Sequence, residues 1–198
     1  MIAIIDSGGA NIASVRFALE RCGAEAELTN SRDKIEAASK VILPGVGAAA
    51  MAMQTLEAHG LVDCIRQLKQ PVLGLCLGMQ LLFERSDEGD AEMLGILAGS
   101  CKKFQADEAR SVPHMGWNQI HAVDSGTRHP LLANVPDGAH VYFVHSYYAG
   151  LSGETIASCN YGTAFTAIAG HENFMGCQFH PEKSGAVGEQ IIRNFLAL

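Results

Sequence analysis

Two short segments carry the residue types that do covalent chemistry. Cys76 stands between glycines in Gly74-Leu75-Cys76-Leu77-Gly78, after the apolar run Pro71-Val72-Leu73 and before the helical pattern Met79-Gln80-Leu81-Leu82-Phe83. A strand that turns sharply into a helix, with the reactive residue at the apex, is a nucleophile elbow. The flanking glycines allow backbone angles that a Cβ resists. The helix N-terminus behind the turn favours a thiolate. Near the other end, Gln178-Phe179-His180-Pro181-Glu182 supplies an imidazole and a carboxylate. Those groups activate a cysteine nucleophile and orient its base. Pro181 keeps His180 out of the helical region. In an extended segment His180 and Glu182 face the same side. Cys76 and His180 lie 104 positions apart (180 minus 76), so only the fold can join them.

The elements that must do so alternate in the first half. Residues 2–6, 26–29, 41–43 and 72–75 read as strands, and 11–21, 47–58 and 61–69 as helices. Such alternation predicts an α/β fold, a parallel sheet covered by helices on both faces. Function then gathers at the carboxyl ends of the strands, where Gly8, Gly45 and Cys76 fall. The second half holds strand patterns at 96–101, 118–122, 141–145, 155–160, 164–169 and 174–179, then a last helix over 187–198. These strands read as antiparallel or mixed. Residues 87–92 and 105–112 are polar and read as surface loops. The fold expected is one three-layer domain over 1–198, its central sheet mostly parallel with a smaller antiparallel part in the second half.

The 198 residues are 48% hydrophobic and 18% charged, enough for a substantial core in a single domain. A formal charge of −7 argues against nucleic-acid binding. The Met1-Ile2-Ala3-Ile4-Ile5 start reads as a strand and not a signal peptide. No apolar run approaches the ~20 residues of a membrane span. The six cysteines form no C-x-x-C pair, and their spacing suits neither zinc nor a disulfide framework. Apart from Cys76 they read as buried free thiols, which fits a reducing cytoplasm. The chemistry asks for no metal and no cofactor.

Acyl transfer also needs donors aimed at a developing oxyanion. The amide of Leu77, next to the nucleophile, is one candidate. Pro44-Gly45-Val46-Gly47 is either a simple strand-to-helix turn or the nest that supplies the second, from Val46 or Gly47. His145, in Val144-His145-Ser146-Tyr147, could compete for the base role, but only His180 has a carboxylate two residues on. Trp117 is either a core residue or, if exposed in a loop, an interface anchor. His59, His121, His129, His140 and His171 show no ligand spacing. Gly8-Gly9 is a weak echo of a phosphate loop and lacks the Lys-Ser/Thr.

Gly74-Leu75-Cys76-Leu77-Gly78-Met79-Gln80 together with Gln178-Phe179-His180-Pro181-Glu182 resembles the triad, or class I, glutamine amidotransferases. Pro44-Gly45-Val46-Gly47, His114-Met115-Gly116-Trp117-Asn118, Tyr142-Phe143-Val144-His145-Ser146-Tyr147 and Glu182-Lys183-Ser184-Gly185 narrow the resemblance to the glutaminase subunits of imidazole glycerol phosphate synthases. The resemblance implies that Cys76 attacks the side-chain amide of glutamine, with His180 as base and Glu182 orienting it. It implies that Gly47, Gln80, His145, Ser146 and Tyr147 position the glutamine. Ammonia would pass to a cyclase subunit of (β/α)₈ barrel fold in a heterodimer, with Asn11, Trp117, Tyr142 and Lys183 at the interface. Activity without that partner is expected to be weak, and Val46 lies in the segment that would rearrange. Alternatives are the glutaminase of another synthase, a stand-alone γ-glutamyl hydrolase and a non-catalytic binding module. One departure is Ser7, where the family usually has an aromatic residue after the first-strand Asp; it leaves the interface loop in question and not the triad.

Overall fold

Strand β1 (Ile2–Ile5) is buried at every position, which alternation along a strand makes possible only if both sheet faces are covered. Ala3 and Ile5 enter one core; Ile2 and Ile4 enter the other. The computed structural model describes residues 1–8, 12–108, 110–123 and 128–198. After β1 come α1 (Ile12–Arg21), β2 (Ala26–Thr29), α2 (Arg32–Ala37), β3 (Lys40–Leu43), α3 (Ala49–Ala58), α4 (Val62–Gln67) and β4 (Val72–Leu75). One helical turn, α5 (Leu77–Gln80), leads to β5 (Arg85–Ser86), β6 (Ala91–Glu92) and β7 (Ser100–Lys103). The remainder is β8 (His114–Ala122), β9 (Ala139–His145), β10 (Tyr147–Ala149), β11 (Thr155–Asn160), β12 (Ala164–His171), β13 (Phe174–Cys177) and α6 (Gly185–Ala197).

The main sheet has the order β2-β1-β3-β4-β13-β12-β11-β8-β9. Pairing is parallel from β2 as far as β13. From β13 to β9 every pairing is antiparallel. Helices cover both faces, as the alternation predicts. Ile35, Leu56 and Ile65 of α2, α3 and α4 join one core. Val15 and Leu19 of α1, with Ile191, Ile192 and Phe195 of α6, join the other. A second sheet, β10-β7-β5-β6, lies at the side and fixes Tyr147 through its antiparallel partner Lys103.

The elements differ from the sequence reading in a few places. β7 begins at Ser100, so 96–99 is not strand. β8 starts at His114, which puts Trp117 on a strand instead of in a loop. Helix α2 and the short strands β5, β6 and β10 were not legible, since two to six residues are too few to display a period. The apolar pattern after Cys76 holds one helical turn before the chain leaves α5.

Candidate active site

The long separation of Cys76 from His180 is closed by sheet register. β4 and β13 are parallel neighbours with Leu75 beside Cys177. Cys76 and Gln178 therefore leave the sheet side by side. The Cys76 amide donates to the Cys177 carbonyl at 2.8 Å and pins the turn to that strand.

The elbow puts its strain on the cysteine. Cys76 has φ 53° and ψ −110°, a region that side-chain-bearing residues rarely adopt. Gly74 and Gly78 are not in left-handed conformations; their role is room, which corrects the sequence reading. A Cβ on Gly78 would lie 1.8 Å from the Leu43 carbonyl oxygen, and one on Gly74 2.6 Å from that of Gly78. A Cβ on Gly45 would lie 2.8 Å from the Gly78 nitrogen. The elbow and the loop after β3 are thus packed backbone to backbone. Ser7 holds the same loop, its hydroxyl donating to the Pro44 carbonyl at 2.9 Å while the side chain is buried. Because α5 is one turn long, the helix-dipole support that the sequence reading gave the sulfur is small.

His180 is extended (φ −99°, ψ 96°), as Pro181 requires, but residues Pro181–Lys183 form a 3₁₀ turn and not a strand. The turn still brings Glu182 Oε1 to 2.8 Å from His180 Nδ1, with both side chains inaccessible (1% and 5%). Ser184 clamps the segment from behind. Its hydroxyl donates to the His180 carbonyl at 2.7 Å and accepts from the Tyr142 amide at 2.9 Å. The His180 amide donates to the Tyr142 carbonyl at 2.9 Å. Burial by itself would lower the imidazole pKa; contacts with Cys76 and Glu182 more than offset it and raise it to about 10. The geometry favours an imidazolium facing sulfur with a carboxylate behind it.

A cavity of about 350 Å³ opens at this point, within the usual size range of small-ligand sites. Val46, Gly47, Cys76, Leu77, Gln80, His145, Ser146, Tyr147 and His180, all selected from the sequence, line it. So does Glu88, which sequence reasoning left in a surface loop. Glu88 Oε2 accepts from the Ala49 amide at 2.8 Å. That bond satisfies a first-turn donor of α3 that lacks a side-chain cap. A carboxylate brought to a helix start from 39 residues away leaves no local sequence signal.

His145 does not compete with His180. Its Nδ1 is 2.7 Å from the Tyr147 carbonyl, which can only accept, so Nδ1 carries the proton. Its Nε2 then accepts from His114 Nδ1 at 3.0 Å, and His114 Nε2 accepts from Asn118 Nδ2 at 3.3 Å. Burial depresses both imidazoles, His114 to about 4 and His145 to about 3, the latter also through the His114 and His180 charges. His114 stacks between Phe143 (4.8 Å) and Tyr161 (4.1 Å). Both rings are neutral at neutral pH, His145 in the cavity wall and His114 bonded behind it.

Of the interface residues implied by the resemblance, Trp117 is 56% exposed, with its ring 6.0 Å from that of Tyr142. Tyr142 is half-buried and Lys183 exposed. Asn11 lies outside the described residues. Cys64, Cys101, Cys159 and Cys177 are buried free thiols, as read from the sequence; Cys22 is free but only half-buried, which differs from that reading. Among the described residues there is no cluster of metal-ligating side chains. No described helix is long and apolar enough to cross a membrane.

A cysteine at a strand-to-helix elbow of an α/β sheet, with a histidine and a carboxylate held at the next strand end, is the architecture of a cysteine-dependent acyl-transfer enzyme. Residues 3–198 match the family model described as glutamine amidotransferase class-I. The chain belongs to that family of glutamine-hydrolysing enzymes. A protein of Xanthomonas axonopodis pv. citri, named imidazole glycerol phosphate synthase subunit HisH, is 48% identical over 197 residues, covering 100% of this chain and 97% of the relative. The protein of that name from Shewanella oneidensis is 49% identical over 211 residues, covering 100% and 96%. Among solved structures, a glutamine amidotransferase aligns with TM-score 0.75 at 17% identity, covering 99% of this chain and 97% of that one. The glutaminase domain of Trypanosoma brucei CTPS aligns with TM-score 0.65 at 15% identity, covering 99% and 92%. At those identities the structures speak to the fold alone.

Proposed function

We propose that the chain is the glutaminase subunit of an imidazole glycerol phosphate synthase, serving histidine biosynthesis. The observation that carries the chemistry is the juxtaposition of Cys76 and His180 on one cavity, with Glu182 2.8 Å behind the imidazole. The Cys76 thiolate attacks the side-chain amide carbon of glutamine. Negative charge passes to the carbonyl oxygen, where the Leu77 amide and an amide of Val46 or Gly47 stabilise it. Imidazolium His180 gives its proton to the departing nitrogen, and ammonia leaves behind a thioester. Neutral His180 then takes a proton from water, which attacks the thioester and releases glutamate. Glu182 keeps Nδ1 protonated and stabilises the imidazolium. Glu88 is the anion at the cavity wall for the α-ammonium group of the substrate. Gly47, Gln80, His145, Ser146 and Tyr147 shape the rest.

The ammonia is used by a cyclase subunit of (β/α)₈ fold, which makes imidazole glycerol phosphate and aminoimidazole carboxamide ribotide. Identity near one half over the whole length to two proteins named for that synthase supports this assignment. Exposed Trp117, with Tyr142 and Lys183, is the docking face. The six unpaired thiols suit a reducing cytoplasm. The test is glutamate release from glutamine by the purified chain, alone and with a cognate cyclase and its ribotide ligand. Strong activation on addition is expected. Full activity alone would instead make the chain a stand-alone hydrolase, and none in either state would make it a binding module.

A further inference from the structure

We infer that Gln178 is a further catalytic residue, whose side-chain amide donates to Cys76 Sγ and holds the negative charge of the nucleophile. The inference rests on Cys76 being the nucleophile. Gln178 is completely buried, and a buried amide must find partners for its donors and acceptor. Its Nε2 is 3.9 Å from Cys76 Sγ, and its Oε1 is 3.0 Å from Gln80 Nε2.

The direction of these contacts follows from one backbone carbonyl. Gln80 Nε2 lies 2.8 Å from the Tyr147 oxygen, which can only accept. The nitrogen of Gln80 must therefore point there, and its second proton faces Gln178. That makes the Gln178 atom toward Gln80 the oxygen, and turns the Gln178 nitrogen to the sulfur. His145 Nδ1 donates to the same Tyr147 carbonyl at 2.7 Å and fills its other lone pair. The Gln178 amide is thereby aimed before any substrate binds, the arrangement that makes electrostatic stabilisation effective.

The sulfur itself has two sets of neighbours. As a thiol it can donate to the Val144 carbonyl, 3.8 Å away. As a thiolate it can only accept, and that carbonyl then presents its negative end. Gln178 Nε2 and His180 are then donors to it. Gln178 does not line the substrate cavity, so it acts directly on the sulfur and reaches the glutamine site only through its bond with Gln80.

The test is Gln178→Glu and Gln178→Leu, each checked for folding by circular dichroism. Alkylation of Cys76 by iodoacetamide is followed on its peptide by mass spectrometry against pH. Loss of one hydrogen bond to a charged atom corresponds to about one pH unit. The Cys76 alkylation midpoint should move up by about that amount, with alkylation below the wild-type midpoint slowed about tenfold. kcat for glutamine should fall about tenfold with KM within about twofold. An unmoved midpoint in a folded variant overturns the proposal, as does a change confined to KM. If neither variant folds, the Gln178 side-chain amide resonances of the wild-type chain decide: they should follow the Cys76 alkylation midpoint, and a flat titration overturns the role. A shifted midpoint in a chain that never hydrolyses glutamine would keep this inference and refute the proposed function. Hydrolysis with an unmoved midpoint would do the reverse.

Discussion

Glu182→Gln isolates the electrostatic part of the triad, because the amide keeps the size and one acceptor of the carboxylate while removing its charge. The carboxylate is buried and in contact with His180 at 2.8 Å. The His180 pKa is raised from its ordinary 6.5 to about 10, against burial, through its contacts with Cys76 and Glu182. One adjacent opposite charge typically moves a pKa by about 1–3 units. At 1.36 kcal/mol per unit this is about 1.4–4 kcal/mol less support for the imidazolium. The thiolate–imidazolium pair should lose about 10–1,000-fold relative to the neutral pair. The glutamine oxygen can still accept from Nδ1, so a loss of about 10–100-fold in kcat/KM is expected. The sign for pH is fixed by the direction of the shift. A raised imidazole pKa sets the alkaline limb, so that limb should move down by about 1–3 units in the variant. Its contribution to stability is complete below pH 6.5 and drains as pH climbs through about 10. In the variant this decline should end at lower pH. The assay is glutamate release against pH, with urea unfolding at matched pH. An alkaline limb that stays in place, with activity within about threefold of wild type, would refute the reasoning. So would a loss as total as that of Cys76→Ala in a folded variant, since Glu182 would then do more than orient and stabilise.

Cys76→Ala should abolish glutamine hydrolysis and leave ammonia-dependent synthesis by the cyclase complex intact; loss of both would break the division of labour. Gly78→Ala puts a methyl group 1.8 Å from the Leu43 carbonyl oxygen, where backbone meets backbone. A cost of about 3 kcal/mol or more, or an insoluble chain, should appear in urea unfolding. Ser7→Ala removes the bond to the Pro44 carbonyl and should cost about 1 kcal/mol in the same assay. It should also change the basal glutaminase rate, because the loop it releases carries Val46; an unchanged rate would separate Ser7 from the oxyanion loop. Trp117→Ala should leave the isolated chain as stable as wild type, since the ring is 56% exposed. It should weaken cyclase binding by about 2 kcal/mol, read by titration calorimetry, if the ring is an interface anchor.

The sequence by itself determined which residues could carry the proposed chemistry. Cysteine between glycines after an apolar strand, and His-Pro-Glu after another, are local patterns whose spacing states a nucleophile, a base and an orienting carboxylate. Alternating strand and helix periods likewise determined the covered parallel sheet, because burial on both faces leaves continuous apolar runs such as residues 2–5. What the tertiary structure decided is which side chains meet. Register of β4 beside β13 sets Cys76 next to Gln178 across 102 positions. A loop closing onto α3 brings Glu88 into the cavity, and a single carbonyl, that of Tyr147, orients both His145 and Gln80. Glycines 74 and 78 could be counted in the sequence, yet whether they supply angles or space depended on what packs against them. The physical reason is common to all of these. Period and propensity act within a few residues of the chain, whereas close approach and hydrogen-bond direction are set by groups that sequence distance does not relate.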